Sequence, residues 1–193
     1  MSIHGYQHGD ARLAPSPVSI DDLRLLEQTV LFGDDDRRAL AEAADILEPQ
    51  VEDILDVWYG FVGANPHLLA HFSNGQGEPQ PEYLAAVRKR FAQWIRDTCT
   101  RPYDQAWLDW QHEIALRHHT AKKNRTDQAD STPIIPLRLM IAFVYPITAT
   151  MRPFLEKSGK PTEDVERMWQ AWFKAVTLTV VLWSAPFARE GEF

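Results

Sequence analysis

The chain has one cysteine, Cys99, in 193 residues. No internal disulfide can form, and a reducing compartment is the simpler setting. Positive charge is not in excess: 20 Lys+Arg stand against 27 Asp+Glu, a net charge of −7. That balance argues against nucleic acid or an anionic membrane as the main partner. There is no long apolar run either. The longest stretch free of both charged residues and histidine, Ala175 to Ala188, holds 14 residues and is too short to span a bilayer as a helix. The start, Met1-Ser2-Ile3-His4-Gly5, lacks the basic and apolar regions of a signal peptide. Together these absences predict a cytoplasmic protein with neither a nucleic-acid nor a membrane partner.

Further absences narrow the chemistry. The sequence contains no glycine-rich phosphate loop, no G-x-S-x-G elbow and no C-x-x-C pair. It has no internal repeat or low-complexity run, and no stretch alternates with period two as a strand does. With 45% hydrophobic and 24% charged residues the chain is nevertheless long enough to bury a core without staples.

What remains reads as helix after helix. Residues 1–19 hold Gly5, Gly9, Pro15 and Pro17 without an apolar period and predict an arm; residues 20–193 form one domain. Asp21-Asp22 open a first helix that Gly33 is expected to stop, and Asp34-Asp35-Asp36 cap the next. A third helix carries Val51, Ile54, Leu55, Trp58, Phe61 and Val62 at helical spacing. A short helix follows Asn65-Pro66, and Ser73 to Pro79 form a loop. Long helices are expected over 81–100, 102–119, 134–157 and 162–187, the last two separated by Gly159 and Pro161. The prediction is an all-α fold of about eight helices. The final helix is apolar around most of its circumference, from Met168 to Trp183, which predicts burial against a partner subunit in a homodimer.

Several residues stand out as candidates for chemistry. His112-Glu113 approaches the zinc motif H-E-x-x-H, but Leu116 occupies the second histidine position, so a zincin is rejected. His67 and His71 lie four apart with no obvious third ligand, and read as solvated. His118 lies on an apolar stripe with Ile114, Trp110 and Trp107; His119 lies on a more polar one. On spacing alone His118 is either a hydrogen-bonded core histidine or a ligand. Trp58-Tyr59 precede Gly60 and Gly63, and each helical glycine costs about 1 kcal/mol relative to Ala. Close approach of a crossing helix would offset that cost. Several helices around an aromatic cavity, with one histidine and one hydroxyl, meet the requirements of a haem pocket.

The chain resembles the protoglobins, single-domain relatives of the globin-coupled sensors. The resemblance is carried by Val51–Gly63 with its Trp58-Tyr59-Gly60-Phe61, Tyr83–Phe91, Asp97-Thr98-Cys99, Tyr103–Asp109, Leu116-Arg117-His118-His119 and Ala142–Met151 with its Phe143-Val144-Tyr145-Pro146. It extends over essentially the whole chain. It implies a globin-like helical sandwich with an extra N-terminal helix, haem b as cofactor, and a homodimer through the last two helices. It implies His118 as the iron ligand, with Trp58, Tyr59, Phe72, Phe91, Phe143 and Ile147 on the distal side and Arg90 at a haem propionate. It implies reversible binding of O2, CO or NO as sensor, carrier or scavenger. The alternative is a haem enzyme acting on NO, nitrite, peroxide or carbene precursors. No catalytic residue is assigned, and signalling or reduction would require a separate partner protein.

Overall fold

Ser19 opens the helical part of the chain. Its hydroxyl accepts from the Asp22 N–H at 3.1 Å, and the Asp22 carboxylate accepts from the Ser19 N–H at 3.3 Å. This reciprocal cap starts α1 at Ile20–Thr29. The expected stop at Gly33 is displaced. Helix α1 ends four residues earlier, and Leu31, 77% exposed, makes the left-handed turn at φ +57°. Gly33 instead caps α2 (Asp34–Leu47), its N–H donating to Asp36 at 2.9 Å.

The computed structural model describes residues 2–189 and 191–193. A 3-10 turn containing Pro49 leads from α2 into α3 (Val51–Ala64). Then come α4 (Pro66–Leu69), a 3-10 turn over Ala70–Phe72, and α5 (Pro81–Thr100). Helix α6 spans Gln105–His118 and begins three residues later than Pro102, because Asp104 accepts from the Trp107 N–H at 2.9 Å. Helix α7 (Leu137–Glu156) starts behind Pro136, and α8 spans Thr162–Ser184, with a 3-10 turn to Phe187. Among the described residues there is no strand, only an isolated bridge between Ser73 and Pro79. The fold is all-α, as the periodicity predicts.

Helix α8 is the spine: it packs on α7, α2 and α6, while α3 packs on α5 and α7. Leu23, Ile54, Leu108, Met168 and Trp172 are almost completely buried between them. Full burial of such a side chain stabilises the fold by about 1.5–3 kcal/mol. Val165, Met168, Ala171, Trp172, Ala175 and Val176 of α8 are all buried within the chain itself. Its own core therefore covers most of the apolar surface that predicted a partner. Phe173 stays outside, as do Ile141 and Tyr145 of α7. Among the described residues no helix is long and apolar enough to cross a membrane.

The two glycines of α3 correct a second expectation. A Cβ built on Gly60 or Gly63 meets nothing within 4 Å, so no helix among the described residues crosses there. Nothing in the structure explains these glycines.

Residues 2–19 pack on the body. The Tyr6 hydroxyl donates to Asp97 at 2.7 Å, and its ring meets Trp110 edge-on. The Ser16 N–H donates to Asp109 at 2.8 Å.

Burial also sets the chemistry of two residue types. The Cys99 thiol is pushed up to about 12 by burial. It is therefore expected to resist an aromatic disulfide reagent at pH 8 in the folded protein and to react fully on denaturation. Rapid labelling of folded protein would contradict this. Burial likewise raises Tyr6 and Tyr83 to about 12, with the Asp97 hydrogen bond and charge adding to the rise at Tyr6. Tyr59 and Tyr103 are raised further, again chiefly by burial. The unfolded chain loses these phenolic protons first, near pH 10, so their stabilising effect is complete below that pH and fades above it. The melting temperature should not respond to these groups below about pH 10 and should fall above it. Phenolate absorbance from all the tyrosines at pH 10 in still-folded protein would contradict that.

Candidate functional site

The end of α6, the segment 119–136 and the facing sides of α3, α5, α7 and α8 enclose a cavity of about 260 Å³. Its walls hold all eight candidate residues: Trp58, Tyr59, Phe72, Arg90, Phe91, His118, Phe143 and Ile147. Residues separated by up to 89 positions in the chain are thus brought to one surface.

The aromatic wall is internally packed. Trp58 meets Phe91 edge-on at 5.2 Å between ring centroids and tilts against Phe143 at 4.9 Å. Tyr59 meets Phe72 at 6.4 Å, and Phe72 meets Tyr83 at 5.7 Å. Such contacts fix ring orientations beyond what area burial does. The Tyr59 hydroxyl forms no hydrogen bond among the described residues, and burial holds it in the neutral, donating form.

His118 closes α6. Its Nδ1–H donates to the Ile114 carbonyl at 2.8 Å, and because a carbonyl only accepts, this fixes the tautomer. Nε2 is left with its lone pair. Protein surrounds the ring, and its partial accessibility comes from facing the cavity. Desolvation depresses the imidazole to about 4, opposed by the Ile114 bond and helped by the charges of Lys123 and Arg117. It is neutral at physiological pH, as a metal ligand must be. Trp183 stacks on the ring at 4.8 Å and is itself held by a 2.9 Å bond from its Nε1 to Gln111. The Ile135 N–H donates to the His118 carbonyl at 2.8 Å and ties the following segment to the same turn.

His119 points elsewhere: its ring lies edge-on to Phe187, and its Nδ1 accepts from the Ala121 N–H. His71 lines the cavity, whereas His67 does not. The His71 Nδ1 is engaged by the Thr132 hydroxyl at 2.6 Å. Among the described residues no group of three or more His, Cys, Asp or Glu is placed to hold a metal ion.

The cationic edge of the cavity carries carboxylate partners of its own. Arg90 lines it, but Nη1 and Nη2 donate to the two Asp127 oxygens at 3.0 and 2.5 Å. The fork expected to meet a propionate is taken up by a carboxylate 37 residues away in the chain. Arg90 also donates to the His4 carbonyl at 3.1 Å, and Arg117 donates to the Gly5 carbonyl at 2.6 Å. Gly5 sits between them at φ +76°, where a Cβ would come within 2.6 Å of Thr126. The arm is thus keyed onto the cavity edge by a position only glycine fits.

Three features escaped the sequence reading: the Trp183 stack, the Asp127 partner of Arg90, and buried Lys123. Lys123 Nζ donates to the Tyr83 hydroxyl at 3.0 Å, Asn124 Oδ1 at 2.6 Å and Ser131 Oγ at 2.8 Å. A mid-loop lysine carries no periodic signal, and none of the three was legible from local spacing.

These residues fit a haem. One neutral imidazole offers a free Nε2, aromatic and aliphatic side chains form the walls, and cations gather at one edge. That is the donor set of a flat apolar dianion carrying one metal ion.

The protoglobin family model matches residues 20–193, and the chain belongs to that family. No curated protein matches. Family membership implies a haem cofactor and haem-based gas binding.

Proposed function

We propose that this protoglobin-family chain holds one haem b through His118 Nε2 and takes up O2, CO or NO reversibly beside Trp58 and Tyr59. When bound, the haem supplies an iron coordination position open to a diatomic ligand. The observation that carries the reading is His118. Its Nδ1–H is committed to Ile114, its Nε2 is free, and burial keeps it neutral. Trp183 and the Ile114 carbonyl orient the ring, a role that partners of metal-bound histidines commonly play. Trp58, Phe91 and Phe143 exclude water and limit the size of what enters. Tyr59 provides the unpaired donor that a polar diatomic accepts from.

The apolar residues left outside on α7 and α8, Ile141, Tyr145 and Phe173, support a homodimer through the last two helices. The single cysteine supports a cytoplasmic setting.

The test is an equilibrium titration of reduced, haem-loaded protein with O2 and with CO. Saturable binding that reverses on removal of the gas supports a binder. Irreversible oxidation with each addition, or multiple turnover of NO or peroxide at the same concentrations, would replace it with the enzyme reading.

A further inference from the structure

The chain has five tyrosines. Among the described residues, four have no carboxylate on the hydroxyl. Tyr59 has no hydrogen-bond partner, Tyr83 accepts from the Lys123 ammonium, Tyr103 donates to the Thr98 carbonyl at 3.0 Å, and Tyr145 stands outside on α7. Tyr6 differs. Its hydroxyl donates to Asp97 Oδ2 at 2.7 Å, and Arg101 reaches the phenol oxygen at 3.4 Å. Asp97 is 2% exposed, and its other oxygen accepts from Gln93 at 2.8 Å and Arg101 at 3.2 Å, which leaves Oδ2 to the phenol. Burial, and after it the Asp97 bond and charge, raise the phenol to about 12, so at neutral pH its proton leaves only when an electron does. The Tyr6 ring meets Trp110 edge-on at 5.2 Å between centroids, and buried Trp110 lines the cavity. The Arg117 guanidinium lies 5.1 Å from the Trp110 ring centre. A cation there is attracted by the ring electrons and opposes their loss, so Trp110 passes an electron on without staying oxidised. The other aromatic path ends inside the core. Trp183, Trp94 and Trp172 follow one another at 5.9 and 5.6 Å, and the Nε1–H groups of Trp94 and Trp172 are buried without a partner among the described residues. A positive charge left on either would be unanswered in an apolar setting. Tyr6, by contrast, lies on the arm and is partly exposed.

We propose that Tyr6 is a redox-active side chain that returns an electron, through Trp110, to the haem-loaded cavity after a hydroperoxide has oxidised it, while the phenolic proton passes to Asp97. This rests on the haem reading above and adds to gas binding a way of discharging a stray oxidation. A hydroperoxide takes two electrons and two protons as its O–O bond breaks, giving water and an alcohol or a second water. Tyr6 makes good one of the two electrons: its O–H bond breaks, leaving a neutral phenoxyl radical, and Asp97 becomes a carboxylic acid. A small enediol or phenol at the surface then gives one electron to the radical. Asp97 returns the proton to the phenol oxygen, and the donor's own proton goes to water. A second passage replaces the second electron. Without Tyr6 the oxidation falls on the aromatic walls of the cavity.

The experiment adds one equivalent of hydrogen peroxide to ferric, haem-loaded protein with no donor present and freezes it for electron paramagnetic resonance. Circular dichroism reports folding of each variant. Wild type should give a tyrosyl radical whose signal narrows when the tyrosines carry ring deuterium. Tyr6→Phe should lose the signal, and Tyr145→Phe should keep it. Asp97→Asn should slow its appearance about a hundredfold, the low end of what a positioned proton acceptor supplies. Trp110→Leu should slow it several-fold. In Tyr6→Phe, oxidation should move to Trp58, Tyr59 or Trp183. A nitroso spin trap followed by peptide mass mapping should place the adduct on Tyr6 in wild type, and this decides even if a variant fails to fold. A tyrosyl signal that survives Tyr6→Phe, an adduct on another residue, an unchanged rate in Asp97→Asn, or haem-loaded wild type without a tyrosyl radical overturns the inference. Wild type that takes up no haem, seen as no Soret band, is a different result and overturns the haem reading itself, and the inference with it.

Discussion

Replacing His118 with alanine should cost the protein its haem. The variant should bind at least about a hundredfold more weakly than wild type, since altering even an outer-shell partner of a metal site costs 10–100-fold. Haem that remains should show the spectrum of iron without a protein ligand, and added imidazole should restore much of the wild-type spectrum by entering the space left. His119→Ala is the matched control. Its ring packs on Phe187 rather than on the cavity, so the spectrum should not change. The adjacent histidines thus give opposite results for a geometric reason: one residue of helical rotation separates a ring facing the cavity from one facing the C-terminal 3-10 turn. Equal loss from both variants would mean that the end of α6 matters as a fold element only.

Tyr59→Phe should accelerate O2 dissociation about tenfold and leave CO dissociation within about twofold. A hydrogen bond of about 1–1.5 kcal/mol, removed from one ligand only, produces that difference. O2 becomes the more polarised of the two ligands on binding and accepts a donated hydrogen more strongly. The Tyr59 hydroxyl suits the task because it has no competing hydrogen-bond partner among the described residues and is held neutral by burial. Removing it leaves the ring contact with Phe72 in place, so the shape of the wall is kept. Stopped-flow replacement of each gas measures both rates. If both rise equally, the effect is steric and the hydroxyl is not the donor.

Local signals and long-range ones differ in how far they can be read from this sequence. Apolar spacing placed α3, α5, α6, α7 and α8, because a helix repeats its pattern within itself. The His118 stripe of Ile114, Trp110 and Trp107 is a signal of the same kind. Resemblance, rather than spacing, brought Phe72, Phe143 and Ile147 into the same set, and the structure brings them to one cavity. The turn at Leu31 was not legible, since a leucine at φ +57° is set by its flanking helices and not by its own preference. Gly60 and Gly63 predicted a close crossing that is absent among the described residues. The pairing of Arg90 with Asp127 joins a helix to a loop, and nothing near either residue announces the other. Lys123 lies in a polar segment with no apolar period around it, so nothing local marks it. Its burial among Tyr83, Asn124 and Ser131 exists only once the segment 119–136 has folded back on α5.

The most direct measurement is an absorption spectrum of the purified protein after addition of haem: oxidised, reduced, and reduced under CO. A strong Soret band that shifts on reduction and again with CO, at one haem per chain, is the result expected of a histidine-held haem with an open position. No Soret band beyond that of free haem would contradict the account and leave His118 a buried histidine in a helical protein of another kind.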